Sequence, residues 1–404
     1  MNLNKLLQSK KHGSAMALVL VAVILLLVMG IGLLSLGQHS RIFAVQTTSE
    51  IAARCAADAG LTKALFEMNS KLENKTWSDS VLPQVTNELL PNSNATFSYE
   101  ITGDQSSGFT IQSTGSFGRA QKTVNAELQL KGLFEYAIFT QGALALRNGT
   151  AVTGYNFDAD DEPLKVGTNS TAAGSVEMKT GVTINGDVRV GIGGDVDVVI
   201  NSRTEATITG DVSALNEEHE LPPITVPNNL LSLPSQGIII SPTIITTSAK
   251  YDSIKLGNSG IITIDGSVTL YVVGDVILDN SAQLQIVAPS TNPNASLVLY
   301  LGGNLLMQNG GTINNLAKNP TKLKIYALDS CTSISFKNSG NFYGAIYAPA
   351  ADVHQYNSVQ LYGAIVANTF RQDVNANLNY DASLRDVSVN DEGTYFTIKR
   401  WWEH

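Results

Sequence analysis

The sequence predicts a mainly β protein with an N-terminal α-helix: a long membrane and stem helix, a small antiparallel sheet, then a right-handed parallel β-helix, or solenoid. Three observations carry that reading. Ser14 to Gly37 holds no charged residue and stays apolar around the whole helical circumference. Three runs between residues 96 and 130 alternate in polarity and are joined by short turns. From about Leu133, short Val/Ile runs are punctuated by Gly-Asp and Gly-Asn pairs, and helical periodicity nearly vanishes.

The run SAMALVLVAVILLLVMGIGLLSLG comes first. About 20 apolar residues in a helix span the hydrocarbon core, so residues 14–37 are long enough to cross a membrane. The apolar region of a secretory signal peptide is shorter, roughly 7–15 residues, and ends at a small-residue cleavage site; no such site closes this run before Gln38 and His39. A buried core helix rarely stays this apolar on every face. Gly30 and Gly32 mark either a close-packed turn or the ordinary tolerance of membrane helices for glycine. Lys5, Lys10, Lys11 and His12 precede the run and Arg41 follows it. Positive charge beside a first span favours retention in the cytoplasm. The expected arrangement is a single-pass inner-membrane protein with a cytoplasmic N-terminus and the bulk of the chain exported.

After the span, Gln46 to Leu72 is rich in Ala, Leu, Glu and Lys and continues as helix. Small and apolar residues recur at three- and four-residue spacing (Ile51, Cys55, Ala59 and Ala52, Ala56, Ala59), marking a stripe on which a neighbouring helix can approach closely.

A basic leader, the glycine of Lys10-Lys11-His12-Gly13-Ser14, and then an apolar helix resemble the class III signal of type IV pilins and pseudopilins. The phrase Ala56-Ala57-Asp58-Ala59-Gly60-Leu61-Thr62-Lys63-Ala64-Leu65 is similar to the A-E-A-G-L-x-x-A signature of minor-pilin stems, with Asp58 in place of Glu. The resemblance implies cleavage by a prepilin peptidase between Gly13 and Ser14, and a stem-packing role for Ala56, Ala59, Gly60 and Leu61. Major pilins carry Glu at the fifth mature position; here it is Leu18, which fits minor pilins or pseudopilins at a filament tip rather than a filament-forming subunit.

The chain has 404 residues, 43% hydrophobic, enough to bury a sizeable core in two or three domains. Residues 1–13 carry three lysines and no acid, so a formal charge of -9 becomes -12 for the rest. Such an acidic face gives no support for nucleic-acid binding. Cys55 and Cys331 cannot make a disulfide framework and are expected to be free, buried thiols.

Pro83 and Pro91, among Asn and Ser, end the helical part. The runs 96–102, 108–113 and 123–130 alternate as a meander with one buried face, an arrangement that also resembles the pilin headpiece. Then Gly186-Asp187-Val188, Gly194-Asp195-Val196, Gly210-Asp211-Val212 and Gly274-Asp275-Val276 repeat one device, with Gly303-Asn304-Leu305 as a variant. Many short strands at quasi-regular spacing point to a solenoid, with a β-sandwich as the alternative. Asn341-Phe342-Tyr343-Gly344-Ala345-Ile346 echoes Gln360-Leu361-Tyr362-Gly363-Ala364-Ile365, as two adjacent layers would. This paired phrase, Asn379-Tyr380-Asp381-Ala382-Ser383-Leu384 and the end at Trp401-Trp402-Glu403 are similar to the C-terminal β-helix domain fused to PilX-type pilus assembly proteins. Residues around 213–250 fit least well and read as an excursion.

The expected organisation is therefore a basic leader at 1–13, a transmembrane helix at 14–37, a helical stem at 38–75, a pilin-like headpiece at 76–131, a β-helix domain at 132–385 and a C-terminal strand at 386–404. For chemistry, Asp158, Asp160 and Asp161 sit close enough to offer oxygen ligands to calcium, or to form a solvated acidic loop; they lack the glycine and terminal Glu of an EF-hand. The Gly-Asp-Val aspartates are expected to cap turns. No histidine pair has helical zinc spacing, and no G-x-S-x-G element or phosphate loop occurs. The leading expectation is a structural minor pilin or pseudopilin-like component of a type IV pilus or related secretion filament, at the tip or in assembly initiation. The expectation is of no enzyme and no cofactor other than the calcium weighed above, with the inner membrane, the prepilin peptidase, other pilus subunits and a surface glycan or host ligand as partners. The alternatives are an adhesin or glycan-binding head using Tyr343, Tyr347 and Tyr362, and a membrane-anchored polysaccharide enzyme, which would need a carboxylate pair in a cleft.

Overall fold

The structure, a computed structural model, describes residues 14–157, 162–337, 340–356 and 358–403. It is mainly β with one long N-terminal helix, and divides into two units: Met1–Gln129 with Phe396–His404, and Leu130–Tyr395.

In the first unit, Ser14–Glu73 form one continuous helix, α1, of 60 residues. The side chains from Met16 to Leu36 are exposed throughout, and this part is long and apolar enough to cross a membrane. The far half packs on an antiparallel sheet of five strands: β1 (Gln84–Leu89), β2 (Thr96–Asp104), β3 (Gly108–Phe117), β4 (Ala120–Lys131) and, beside β4, the C-terminal strand Tyr395–Glu403. Inward residues alternate as the sequence predicts: Phe97, Tyr99 and Ile101 on β2, Phe109 and Ile111 on β3, Val124, Ala126 and Leu128 on β4.

Small residues set the helix–sheet distance. A Cβ on Gly115 would lie 2.0 Å from the Ala53 carbonyl oxygen, and one on Gly60 would lie 2.4 Å from Ser113 Oγ. Ser113 Oγ itself donates to the Ala57 carbonyl at 2.7 Å. The last strand is fastened by Asn69, whose Oδ1 accepts from the Phe396 amide (2.7 Å) and whose Nδ2 donates to its carbonyl (3.1 Å). Phe396 joins Trp77 and Phe109 in an aromatic cluster with centroids 5.2 to 5.4 Å apart.

The face of α1 buried on the chain's own sheet runs through Ala53, Ala56, Ala57, Leu61, Ala64 and Met68, sharing Ala56 with the expected Ala52, Ala56, Ala59 stripe. One expectation is corrected here. Ile51 is 58% exposed, and Cys55 is an exposed rather than a buried thiol. Strand β1 escaped the sequence reading because its only regular partner is β2 and Asn87 sits at φ 52 within a break of register between Val85 and Glu88.

The second unit consists of parallel strands. A 22-stranded and a four-stranded sheet contain all but β1 to β4 and the C-terminal strand. Their in-register pairs form apolar columns, aliphatic but for Phe370 and Phe342. One runs Ala249, Leu270, Leu299, Ile325, Ile346, Ile365, Ile138, Val166, Val188. A second runs Ile239, Ile254, Val276, Leu305, Ile334, Val353, Phe370, Leu144, Val176. A third comes in two stretches, Ile262, Leu284, Ile313 and Phe342, Leu361, Leu378, Val152, Ile184. All of these residues are buried.

The order of these columns is not chain order. The earliest strands, 138–155, stand beside the latest, 360–381, so the stack is assembled from two runs of chain that meet inside it. The segment after Ala214 must then travel from one end of the stack to the other. It does so along the outside: His219 exchanges hydrogen bonds with Asn169, Tyr347 Oη donates to the Pro222 carbonyl at 2.8 Å, and Lys250 Nζ donates to the Leu231 carbonyl. This strap is the excursion that the Pro- and Ser-punctuated stretch predicts.

Burial pushes the His219 imidazole below its ordinary value of 6.5, helped by the Lys131 charge and against weaker upward pulls from Glu135 and Glu217. The ring packs on Tyr136 and Phe139, with centroids 5.2 and 4.4 Å away. The folded state holds the imidazole neutral, whereas the unfolded chain protonates near 6.5. Stability is therefore fully present above pH 6.5 and declines as pH falls below it. His219→Phe, which keeps a ring and removes the titration, should lose that acid-side slope in a series of thermal midpoints against pH.

Candidate functional site

Among the described residues, no group of three His, Cys, Asp or Glu side chains is placed to hold a metal ion. Gly13, and Asp158, Asp160 and Asp161, lie outside the described residues. Ser14 begins α1. Ala56, Gly60 and Leu61 are buried and Ala59 half-buried on α1's sheet-facing side.

The Gly-Asp devices sit at corners. Asp187 Oδ1 accepts from the Asp211 amide at 2.9 Å and its Oδ2 pairs with Arg189 at 2.8 Å. Asp275 Oδ1 accepts from the Asn304 amide, and Asn304 Oδ1 in turn accepts from the amides of Thr332 and Ser333. Asp195 caps a short helix through the Asp197 amide. Each binds a backbone N–H that a tight corner leaves unpaired. His354 Nε2 lies 2.9 Å from Asp373 Oδ2, and Arg371 Nε donates to Asp373 Oδ1 at 2.8 Å, so both oxygens of this carboxylate are engaged by its neighbours.

One outer face is different. Beside the third column, the outward residues are uncharged: Thr263, Gln285 and Asn314 in one line, then Tyr343, Tyr362, Asn379 and Thr153 in the next. Tyr343 and Tyr362 stack with centroids 4.3 Å apart and planes 10° from parallel, and Tyr155 meets Tyr362 edge-on at 5.1 Å. On the open side of Tyr343 lies a groove of about 260 Å³, lined by Gln283, Thr312, Asn314, Leu316, Lys318 and Tyr343 among others. Asn315 builds its wall. Although buried, its Nδ2 donates to the carbonyls of Asn319 (2.8 Å) and Tyr343 (3.0 Å), and its Oδ1 accepts from the Ala317 amide.

Of the tyrosines singled out from the sequence, Tyr343 and Tyr362 are brought together here, half-buried. Tyr347 is fully buried and its hydroxyl is committed to the strap, so it cannot serve an exposed aromatic surface. Gln283, Asn314 and Lys318 were not singled out. The signal was present as outward positions of the period-2 runs Gln283-Leu284-Gln285-Ile286 and Thr312-Ile313-Asn314-Asn315, but nothing in the sequence says that these two outward lines adjoin Tyr343.

The fold and these surfaces define a mainly β protein with an apolar, membrane-length N-terminal helix. Its residues 250–387 match a family profile described as a domain of unknown function (DUF7305). No curated protein matches the chain. Among solved structures, the crystal structure of competence-associated pilin ComZ from Thermus thermophilus is similar at 14% identity, covering 88% of this chain and 98% of that one, with a TM-score of 0.25.

Proposed function

We propose that the protein is a pilin-like structural component of a type IV pilus or related secretion filament, working at the tip or in assembly initiation. The observation that carries this reading is the division of labour along α1. Residues 16–37 are uncharged and apolar, with their large side chains exposed, while the second half of α1 is held on an antiparallel sheet by Ala53, Ala57, Gly60 and Gly115. A helix built so can wait in a bilayer and then exchange lipid for the helices of other subunits, where van der Waals packing and small residues drive association. The leader ending at Gly13 and the Asp58-Ala59-Gly60-Leu61 phrase support the same pathway. The N-terminus stays cytoplasmic and the β units face the periplasm, or the exterior once the subunit is assembled.

The parallel unit is read as a right-handed β-helix. Its aliphatic columns and its stacked Gly-Asp corners support that winding over a sandwich. So large a unit is too bulky to repeat along a dense filament, which favours one or a few copies at the tip. No catalytic step and no cofactor enter this reading. The test is fractionation: the protein should co-purify with sheared filaments and cross-link to other pilin subunits. Its exclusive recovery in the membrane fraction, with no pilin cross-linked, would count against the proposal.

A further inference from the structure

We propose that the groove beside Tyr343 binds an uncharged glycan chain, laid along the strand stack with a sugar ring on the exposed face of Tyr343. This goes beyond a filament role and holds whether or not the subunit enters a filament.

The lining selects the ligand class. Gln283, Asn314 and Thr312 each carry both donor and acceptor capacity, as a sugar hydroxyl does. Part of that capacity is already used to set the amides: Asn314 Nδ2 donates to Gln283 Oε1 at 3.1 Å, which engages the Gln283 oxygen and leaves its Nε2 and the Asn314 Oδ1 for a ligand. No carboxylate lines the groove, so a cation finds no counter-charge. A single lysine, Lys318, makes a weak case for a phosphate or sulfate, which is ordinarily gripped by paired or bidentate donors.

The aromatic part is preorganised. Tyr343 is backed by Tyr362, and Tyr362 by the edge of Tyr155, so only the Tyr343 face toward Asn314 stays open. A flat apolar face rimmed by hydroxyl-compatible amides suits a pyranose, whose C–H face is apolar and whose rim is polar. The polar row also continues past the tyrosines. Asn377 Nδ2 donates to Gln360 Oε1 at 3.1 Å, and Thr153 Oγ1 donates to Asn379 Oδ1 at 2.9 Å. Paired strands lie about 4.8 Å apart, so an extended polymer running from Tyr343 over Tyr362, Asn379 and Thr153 meets one outward side chain of that row at each step.

The experiment uses the full chain in detergent, screened on an array of neutral and anionic glycans and then titrated calorimetrically with the strongest neutral glycan. Retention of neutral glycans is expected, with dissociation constants near about 1 mM or tighter. Tyr343→Ala should weaken binding about tenfold or more, and Tyr343→Phe should bind within about threefold of the parent. The double variant Gln283→Ala/Asn314→Ala alters only surface amides and should also weaken binding at an unchanged thermal midpoint, so a folding defect in Tyr343→Ala would not leave the matter open. Three results would overturn the proposal: no neutral glycan retained, anionic glycans alone retained, or both variants binding like the parent.

Discussion

Gly363→Ala should destabilise the parallel unit by about 3 kcal/mol, although it adds one methyl group. Gly363 lies at φ +139, and a Cβ there would sit 1.9 Å from the Gly344 carbonyl oxygen and 2.8 Å from the Gly344 carbonyl carbon. Both are backbone atoms of the neighbouring strand, so no rotamer change relieves the overlap. The two glycines face each other because Tyr343-Gly344-Ala345-Ile346 and Tyr362-Gly363-Ala364-Ile365 pair residue for residue in parallel. Separating them would pull the adjoining aliphatic columns apart at Ile346 and Ile365. Gly257→Ala is the control. Its added Cβ would find nothing nearer than the Asp279 carbonyl oxygen at 3.9 Å, and its stability should stay within about 0.5 kcal/mol of the parent. Urea denaturation followed by far-ultraviolet circular dichroism measures both, and equal midpoints for the two variants would contradict the packing argument.

Tyr380→Ala should cost roughly 3 to 5 kcal/mol, the usual cost of truncating a large buried aromatic. Tyr380 is fully buried on the strand 377–381, which pairs with 151–155 where the late run of chain meets the early one. Its hydroxyl donates to the Phe134 carbonyl at 2.7 Å and accepts from Arg385 Nε at 3.2 Å. Arg385 also donates to the carbonyls of Glu162 and Pro163, so one side chain ties the end of the late run to the start of the early one. Tyr380→Phe keeps the ring volume and leaves the Phe134 carbonyl without this donor, which should cost about 1 to 3 kcal/mol. If the two runs did not meet at Tyr380, both substitutions would fall near the small effects of surface changes.

How much of this was legible in the sequence differs by element. The helix and the strands β2 to β4 were, because their signals are local: an uncharged apolar run, and alternation with short turns. The adjacency of the two Tyr-Gly-Ala-Ile phrases was also legible, since identical side chains stack best on themselves. The corner role expected of Asp187, Asp195 and Asp275 could be reasoned from glycine-flanked acids near strand starts. Pairing order was not legible. Nothing in Ile138 or Ile365 says that they neighbour each other across more than half the chain, because aliphatic columns are interchangeable by composition. For the same reason the position of the C-terminal strand beside β4 was missed, as was the chain's own sheet as the cover of one face of α1. In the candidate site, Tyr343 and Tyr362 were found as a repeat. Gln283 and Asn314 were hidden, because outward polar residues on a strand look alike whether or not a groove forms above them.

The most direct test of the pilin-like assignment is the mature N-terminus. Membrane-extracted protein from cells with and without prepilin peptidase would be measured by intact mass and N-terminal sequencing. The proposal expects a chain beginning at Ser14 when the peptidase is present and at Met1 when it is absent. A chain that keeps Met1 in both strains would contradict it and leave a membrane-anchored β protein outside the pilin pathway.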